Sequence, residues 1–364
     1  MNKKIKVYLQ YPWKFPDSPY YKYLIHQPPE GIEYQNVSNQ KGVITNKKFF
    51  WFSNFLKRNI RRSLNFFKFS VSNAHLSPPS DYDIIHCAHC LSKNKNKPWI
   101  ADMEGEWSMY VNYNGHMNPK NVNKIFLREN CKKILPWTIC TSKAIERLFP
   151  DIKNKLEVIY PAVPVRINKK KLNKKELIIV FSGRYFYDKG GLHALEAIDK
   201  ITKEYKSVKG IINSDVPKEI LQKYESNKKI KFYKLIPQKE LFEIYTSADI
   251  FLYPGYSDSF GFGFLEAMSF GLPIITIDGY ARREIINKKV GFVIDKPTSF
   301  RKEDARSIQE EIIKNLVKYT SLLIKSRSLR ERMSKNCLEE IKNGKFSIKE
   351  RNKKMKKIYE EALK

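Results

Sequence analysis

In the second half of the chain, short apolar runs return at helix-length intervals: Leu177-Ile178-Ile179-Val180-Phe181, Gly210-Ile211-Ile212, Ile230-Lys231-Phe232-Tyr233, Ile250-Phe251-Leu252-Tyr253, Pro273-Ile274-Ile275-Thr276 and Gly291-Phe292-Val293-Ile294. Strands separated by helix-length segments belong to a parallel sheet with helices on its faces. The pattern predicts a doubly wound α/β domain, with residues 191–205 as its first helix. The first half repeats the alternation more sparsely. Strands are expected at Ile5-Lys6-Val7-Tyr8-Leu9, Asp83-Ile84-Ile85-His86, Trp99-Ile100-Ala101 and Leu156-Glu157-Val158-Ile159-Tyr160, and helical segments at 124–134 and 143–148.

A chain of 364 residues exceeds the usual reach of one hydrophobic core, so two domains of about 150 to 180 residues each are expected. Pro161, Pro164 and the Lys-rich run that follows break the first pattern. The expected division is 1–165, a linker at 166–175, 176–345, and a final helix over 346–364 that returns to the N-terminal domain, with Ser347 as its N-cap.

Lys and Arg number 68 against 38 Asp and Glu, a formal charge of +30. Such an excess fits polyanionic surroundings (nucleic acid, an anionic membrane face or phosphorylated substrates), and it equally fits a heavily solvated lysine surface. Met1 to Lys6 alternates charge with apolar residues and Val7-Tyr8-Leu9-Gln10 is too short for the apolar core of a signal peptide, and no apolar run approaches the roughly 18 residues of a membrane span. A cytoplasmic protein with at most peripheral membrane contact is expected. Five cysteines, an odd number, fit reduced thiols. His86-Cys87-Ala88-His89-Cys90 imitates half of a zinc knuckle, but Cys131 and Cys140 are too far apart to form the usual second pair. A buried strand end is the simpler reading, and no metal or cofactor is assigned.

In a doubly wound domain ligands bind beyond the carboxyl ends of the strands. After the strand ending at Phe181 come Ser182-Gly183-Arg184 and Asp188-Lys189-Gly190-Gly191: two cations beside glycines at the start of a helix, a combination suited to a diphosphate. After Tyr253 come Asp258-Ser259-Phe260-Gly261-Phe262-Gly263-Phe264-Leu265-Glu266-Ala267-Met268. The glycines allow close backbone approach, and the two carboxylates can accept hydrogen bonds from sugar or ribose hydroxyls.

These motifs, over roughly residues 176–295, resemble the retaining GT-B glycosyltransferases of family 4 (glycosyl transferases group 1). The hallmark acid, seven residues and a Glu before Ala-Met is matched by Asp258 and Glu266, and the Gly-Arg…Lys-Gly motif by Gly183-Arg184 and Lys189-Gly190. Tyr245-Thr246-Ser247-Ala248-Asp249 and Glu284-Ile285-Ile286 before Gly291-Phe292-Val293 follow in family order. The resemblance implies an α/β GT-B fold, with two Rossmann-like doubly wound domains facing a central cleft. It also implies transfer of a hexose from a nucleotide-diphosphate sugar with retention of anomeric configuration. By the same resemblance Glu266 takes the donor ribose, Arg184 with Lys189 the diphosphate, and Asp258 with Gly261 and Phe262 the transferred sugar, while Gly183, Ser259, Phe260 and Gly263 complete the donor-binding set. The first acid is usually Glu, so Asp258 is one methylene short.

The N-terminal half resembles the family more loosely. Tyr82-Asp83-Ile84-Ile85-His86 matches a family strand, but the glycine-rich first loop is replaced by Gln10-Tyr11-Pro12-Trp13-Lys14. Where many members carry a His after the strand at Trp99-Ile100-Ala101, this chain has Asp102-Met103-Glu104-Gly105-Glu106-Trp107. Glu104 is the nearest counterpart, with a candidate role in orienting the acceptor or moving its proton. Glu106 is a weaker candidate. Asp81-Tyr82-Asp83 imitates an Asp-x-Asp metal motif but reads as a loop entering a strand. The segment 49–69 mixes Phe and Trp with Lys57, Arg58, Arg61 and Arg62, which suits an anionic membrane interface and a lipid-linked or other glycan acceptor, or else a helix with its aromatics packed inward. The rival readings are a basic nucleic-acid-binding protein, a glycosyltransferase acting on nucleic acid, and a GT-B nucleotide-sugar epimerase. The Asp258 to Glu266 motif favours transfer, and nucleic acid is not the expected partner.

Overall fold

The computed structural model describes residues 4–10, 19–37, 47–67, 69–112, 118–166 and 176–364. The expected linker, apart from Arg166, and positions 11–14 of the departing first loop lie outside them. The chain divides into one unit of residues 1–162 with 348–364 and a second of 163–347.

In the first unit, β1 (Ile5–Gln10), α1 (Pro19–His26), β2 (Ile32–Gln35), α2 (Lys47–Phe66), β3 (Ala74–His75), β4 (Ile84–Ala88), β5 (Leu91–Ser92), β6 (Trp99–Met103), α3 (Pro119–Phe126), β7 (Cys131–Pro136) and α4 (Ile139–Leu148) follow in order. The main sheet is parallel, ordered β2-β1-β4-β6-β7, and β3 pairs with β5 beside it. Every residue of β4 and β6 is buried, as expected of central strands covered on both faces.

Two expectations fail here. The helix expected over 124–134 ends at Phe126, and Cys131–Pro136 is a strand. The lysines that made it look helical sit half-buried on an edge strand, and Lys133 pairs with Glu157 at 3.2 Å. The strand expected at 156–160 is reduced to a bridge between Ile134 and Leu156 and extended chain, in which the Ile159 amide donates to the Pro136 carbonyl at 3.0 Å. Tertiary pairing overrides local propensity at both places.

The last helix (Ile348–Ala362) lies in the first unit, and a buried polar network seats it. Its Tyr359 hydroxyl is 2.6 Å from His86 Nδ1 and 3.1 Å from the Tyr34 hydroxyl, while His86 Nε2 donates to Asp102 at 2.6 Å. Tyr20 donates to the other Asp102 oxygen at 2.9 Å. Burial foremost pushes the Tyr20 and Tyr359 phenols well up, so both stay protonated and able to donate. Arg351, also buried, donates to the carbonyls of Tyr23 and Gln27 at 3.2 and 2.9 Å. Buried polar groups are costly unless paired, so this network specifies one seating of the helix.

The second unit holds β8 (Leu177–Ser182), α5 (Gly191–Glu204), β9 (Val208–Asn213), α6 (Lys218–Tyr224), β10 (Ile230–Tyr233), α7 (Gln238–Ser247), β11 (Ile250–Leu252), α8 (Phe262–Ser269), β12 (Ile274–Ile277), α9 (Arg282–Ile285), β13 (Gly291–Ile294), α10 (Glu310–Lys325) and α11 (Arg327–Lys342); the helix Ile348–Ala362 is α12. Its parallel sheet runs β10-β9-β8-β11-β12-β13, so the winding reverses between β8 and β11.

His193 of α5 is fully buried, with ring centroids 5.5 Å from Tyr256 and 6.3 Å from Phe300, and neither of its ring nitrogens has a hydrogen-bond partner among the described residues. Burial lowers its pKa to about 4, against smaller opposing effects of Glu196 and Asp304. The folded state therefore holds it neutral while the unfolded chain takes up a proton below about pH 6.5. This contribution to stability is present at neutral pH and lost on acidification between about 6.5 and 4, by up to about 1.4 kcal/mol per pH unit. Hydrogen exchange of α5 and β9 at about pH 7 and about pH 5 should show it, and His193→Leu should flatten the difference.

Candidate functional site

The winding reversal places the loops that leave β8 and β11 side by side at the carboxyl end of the second sheet. The first loop turns through Tyr185 (φ 65°) and ends at Gly190 (φ 74°), which opens α5 without a side-chain cap. The Gly255 amide donates to the Lys189 carbonyl at 2.9 Å and joins the two loops. Their approach is close enough to exclude a Cβ on Gly190, which would lie 2.4 Å from Pro254 Cβ; within the first loop a Cβ on Gly183 would meet Lys189 Cβ tightly at 3.0 Å.

Across this junction Lys189 forms an ion pair with Asp258 Oδ1. The other carboxylate oxygen accepts from the Tyr253 hydroxyl at 2.8 Å and lies 3.9 Å from Arg282 Nη2. Burial, and then the Asp258 charge, push the Tyr253 phenol well above its usual range, which keeps it a donor. Three donor-bearing side chains thus surround one carboxylate.

Beyond Asp258, Ser259 is half-buried and Phe260 is buried against Phe262, ring centroids 5.1 Å apart. Gly261 (φ 83°) then opens α8, again without a side-chain cap, so Phe262 and Gly263 form its first turn. A helix start of this kind directs amide N–H groups and partial positive charge outward. Glu266, in the middle of α8, accepts from Gln238 Nε2 at 2.8 Å. Arg184 is exposed and makes no ion pair among the described residues. Two uncapped helix starts, with Arg184 and Lys189 in the loop before the first, are chemically able to hold an anion, and Asp258 and Glu266 can accept from hydroxyls.

The structure brings Lys189 and Asp258 into contact and leaves Arg184 in the same loop as Lys189. Sequence reasoning missed Tyr253, Gln238 and Arg282. Tyr253 had been read only as the end of a strand, and the one signal for Arg282 was an Arg doublet following Gly279. Glu104 lies in the first unit just after β6, half-buried, its carbonyl accepting from Thr141 Oγ1 at 2.9 Å. Glu106 begins the short 3-10 helix Glu106–Met109. In the His86 to Cys90 segment, His89 is buried with φ 52° and held to a pKa of about 4 by burial. None of the five cysteines is in a disulfide, and no group of three metal-binding side chains occurs among the described residues.

Residues 164–339 match the family described as glycosyl transferases group 1. Over the whole chain, the crystal structure of a glycosyltransferase from Rickettsia africae superposes with a TM-score of 0.63 at 16% identity, covering 100% of both chains. That of Anabaena HepE in complex with UDP and glucose superposes with a TM-score of 0.58 at 12% identity, covering 97% of this chain and 98% of the other. The fold is GT-B. The GPI3 subunit of the phosphatidylinositol N-acetylglucosaminyltransferase of Saccharomyces cerevisiae is 26% identical over 121 residues, 32% of this chain. That match spans 27% of the yeast protein, about a quarter of its length. In this GT-B chain the group 1 match covers the whole Arg184 to Glu266 cluster.

Gly190→Ala combines a left-handed backbone with a collision against Pro254. It should destabilise the protein by about 2 to 4 kcal/mol, seen as a lowered thermal midpoint.

Proposed function

We propose that the protein is a retaining glycosyltransferase that moves a hexose from a nucleoside-diphosphate sugar to an acceptor. The observation that carries this reading is the ion pair of Lys189 with Asp258 across two loops that lead into uncapped helix starts at the winding reversal of a GT-B fold, with Arg184 in the first loop and Glu266 on the second helix. Arg184 and Lys189 hold the diphosphate and stabilise the negative charge that develops on its leaving oxygen. Glu266 accepts from the ribose hydroxyls, and Asp258, with the backbone from Ser259 to Gly263, accepts and orients the sugar. Glu104 orients the acceptor hydroxyl. The bound UDP and glucose named for the Anabaena structure support a nucleotide-sugar donor.

Incubation with a panel of nucleotide sugars should release nucleoside diphosphate from one of them. Arg184→Ala and Glu266→Ala should each lower kcat/KM for that donor by about ten- to a thousandfold. Full activity in both variants would refute the assignment. The anomeric configuration of the product, read by NMR, tests retention.

A membrane-presented acceptor, on the cytoplasmic face, is favoured by α2. No helix of the described residues is long and apolar enough to cross a membrane. Yet Phe66, Phe67 and Phe69 are 81%, 63% and 61% exposed, and Arg58, Arg61 and Arg62, which precede them in sequence, are exposed as well. Among the described side chains, the aromatics at this end do not pack inward. Asn112 holds the end of the segment through Asn65 and the Phe69 carbonyl, at 2.8 and 2.7 Å. Apolar rings beside guanidinium groups suit an interface of anionic lipid, each Arg adding about 1 kcal/mol. The protein should float with anionic vesicles and not with zwitterionic ones, and Phe66→Ser with Phe67→Ser should weaken flotation by about tenfold or more.

A further inference from the structure

We infer that Arg282 takes over from Lys189 as the counter-ion of Asp258 when the donor diphosphate binds, and so holds that carboxylate ionised and in place for the sugar. The inference rests on the donor-site reading above. It begins from a conflict within that reading, because Lys189 is assigned to the diphosphate while it is already paired with Asp258. A diphosphate seated against the starts of α5 and α8 carries more negative charge than one carboxylate and draws the ammonium away. The Asp258 side chain is only 14% exposed, and an ionised carboxylate so enclosed is costly once its cation leaves unless another cation faces it.

Arg282 is placed to be that cation. It is 2% exposed, and its Nε and Nη2 have no hydrogen-bond partner among the described residues. A buried guanidinium with idle donors is costly, and such a residue is explained by a partner engaged in another state of the site. Nη2 stands 3.9 Å from Asp258 Oδ2, about 1 Å beyond a charge-assisted hydrogen bond. Nη1 is tethered to the Gly279 carbonyl at 2.9 Å, and the guanidinium lies 6.0 Å from the centre of the Phe264 ring, so the group can close that gap by a small tilt. The charged and titratable groups facing Asp258 are Lys189, Tyr253 and Arg282, and Asp278 and Tyr280 also act on Arg282. Burial lowers the Arg282 pKa and these neighbours oppose it. Because the guanidinium is enclosed, it does not touch the donor. Arg282 is a positioning residue, and it offsets the shorter arm of Asp258 by gripping the carboxylate from behind.

The test compares the full-length wild type with Arg282→Met and Arg282→Lys, using UDP and GDP as probes in titration calorimetry in buffers of different ionisation enthalpy. At about pH 6 the wild type and Arg282→Lys should bind without proton uptake, whereas Arg282→Met should take up about half a proton or more as Asp258 loses Lys189. In turnover, Arg282→Met should lose about ten- to a hundredfold in kcat/KM at neutral pH, and the acid limb of its pH profile should rise by about one unit. Arg282→Lys should stay within several-fold of wild type, which keeps the test decisive if the Met variant does not fold. An Arg282→Met protein with no proton uptake and an unmoved acid limb, or an Arg282→Lys protein that takes up a proton, would overturn the handover while leaving the donor site standing. Failure of the wild type to bind either nucleotide would overturn both.

Discussion

The pairing of β8 with β11, Ile179 opposite Ile250 and Val180 opposite Phe251, decides where the chemistry of the second unit can lie. Residues far apart in sequence become neighbours at the carboxyl ends of two adjacent parallel strands, and helices α5 and α8 start from the same place. The Gly255 amide to Lys189 carbonyl bond, and the glycine at 190 packed against Pro254, let the two loops touch. The ion pair between Lys189 and Asp258 follows from that approach.

The site is organised around one carboxylate and its surplus of donors. Lys189, Tyr253 and Arg282 all face Asp258, and Lys189 meets it most closely. In the donor-site reading proposed above, the arrival of a diphosphate changes which cation this carboxylate pairs with. The first unit carries a different kind of constraint. Asp102, His86, Tyr20, Tyr34 and Tyr359 are joined in one buried chain of hydrogen bonds that seats α12, and this use of His86 and Asp102 is structural.

Much of the second unit was legible in the sequence. Its apolar runs correspond closely to β8 through β13, and the glycines after them mark positive-φ positions at 190, 255 and 261. The first unit was harder to read. β2 and β7 are edge strands with charged residues, and a Lys-rich strand such as Cys131–Pro136 cannot be told from a helix by composition. Within the site, Arg184, Lys189, Asp258 and Glu266 stood out because ionic side chains among glycines are unusual beside buried strands. Tyr253 read as strand and Arg282 as one basic residue among many, since nothing local distinguishes a buried Arg from a solvated one.

By itself, then, the sequence determined the α/β class, the doubly wound second half and the two loops where charge meets glycine. Periodicity and backbone freedom are local properties, and they act the same way wherever the segment ends up. Only the tertiary structure decided which charges meet. Lys189 reaches Asp258 across 69 positions and Tyr359 reaches His86 across 273. The strength of such a contact depends on distance and on how far water is excluded, and both are set by the packing of strands and helices.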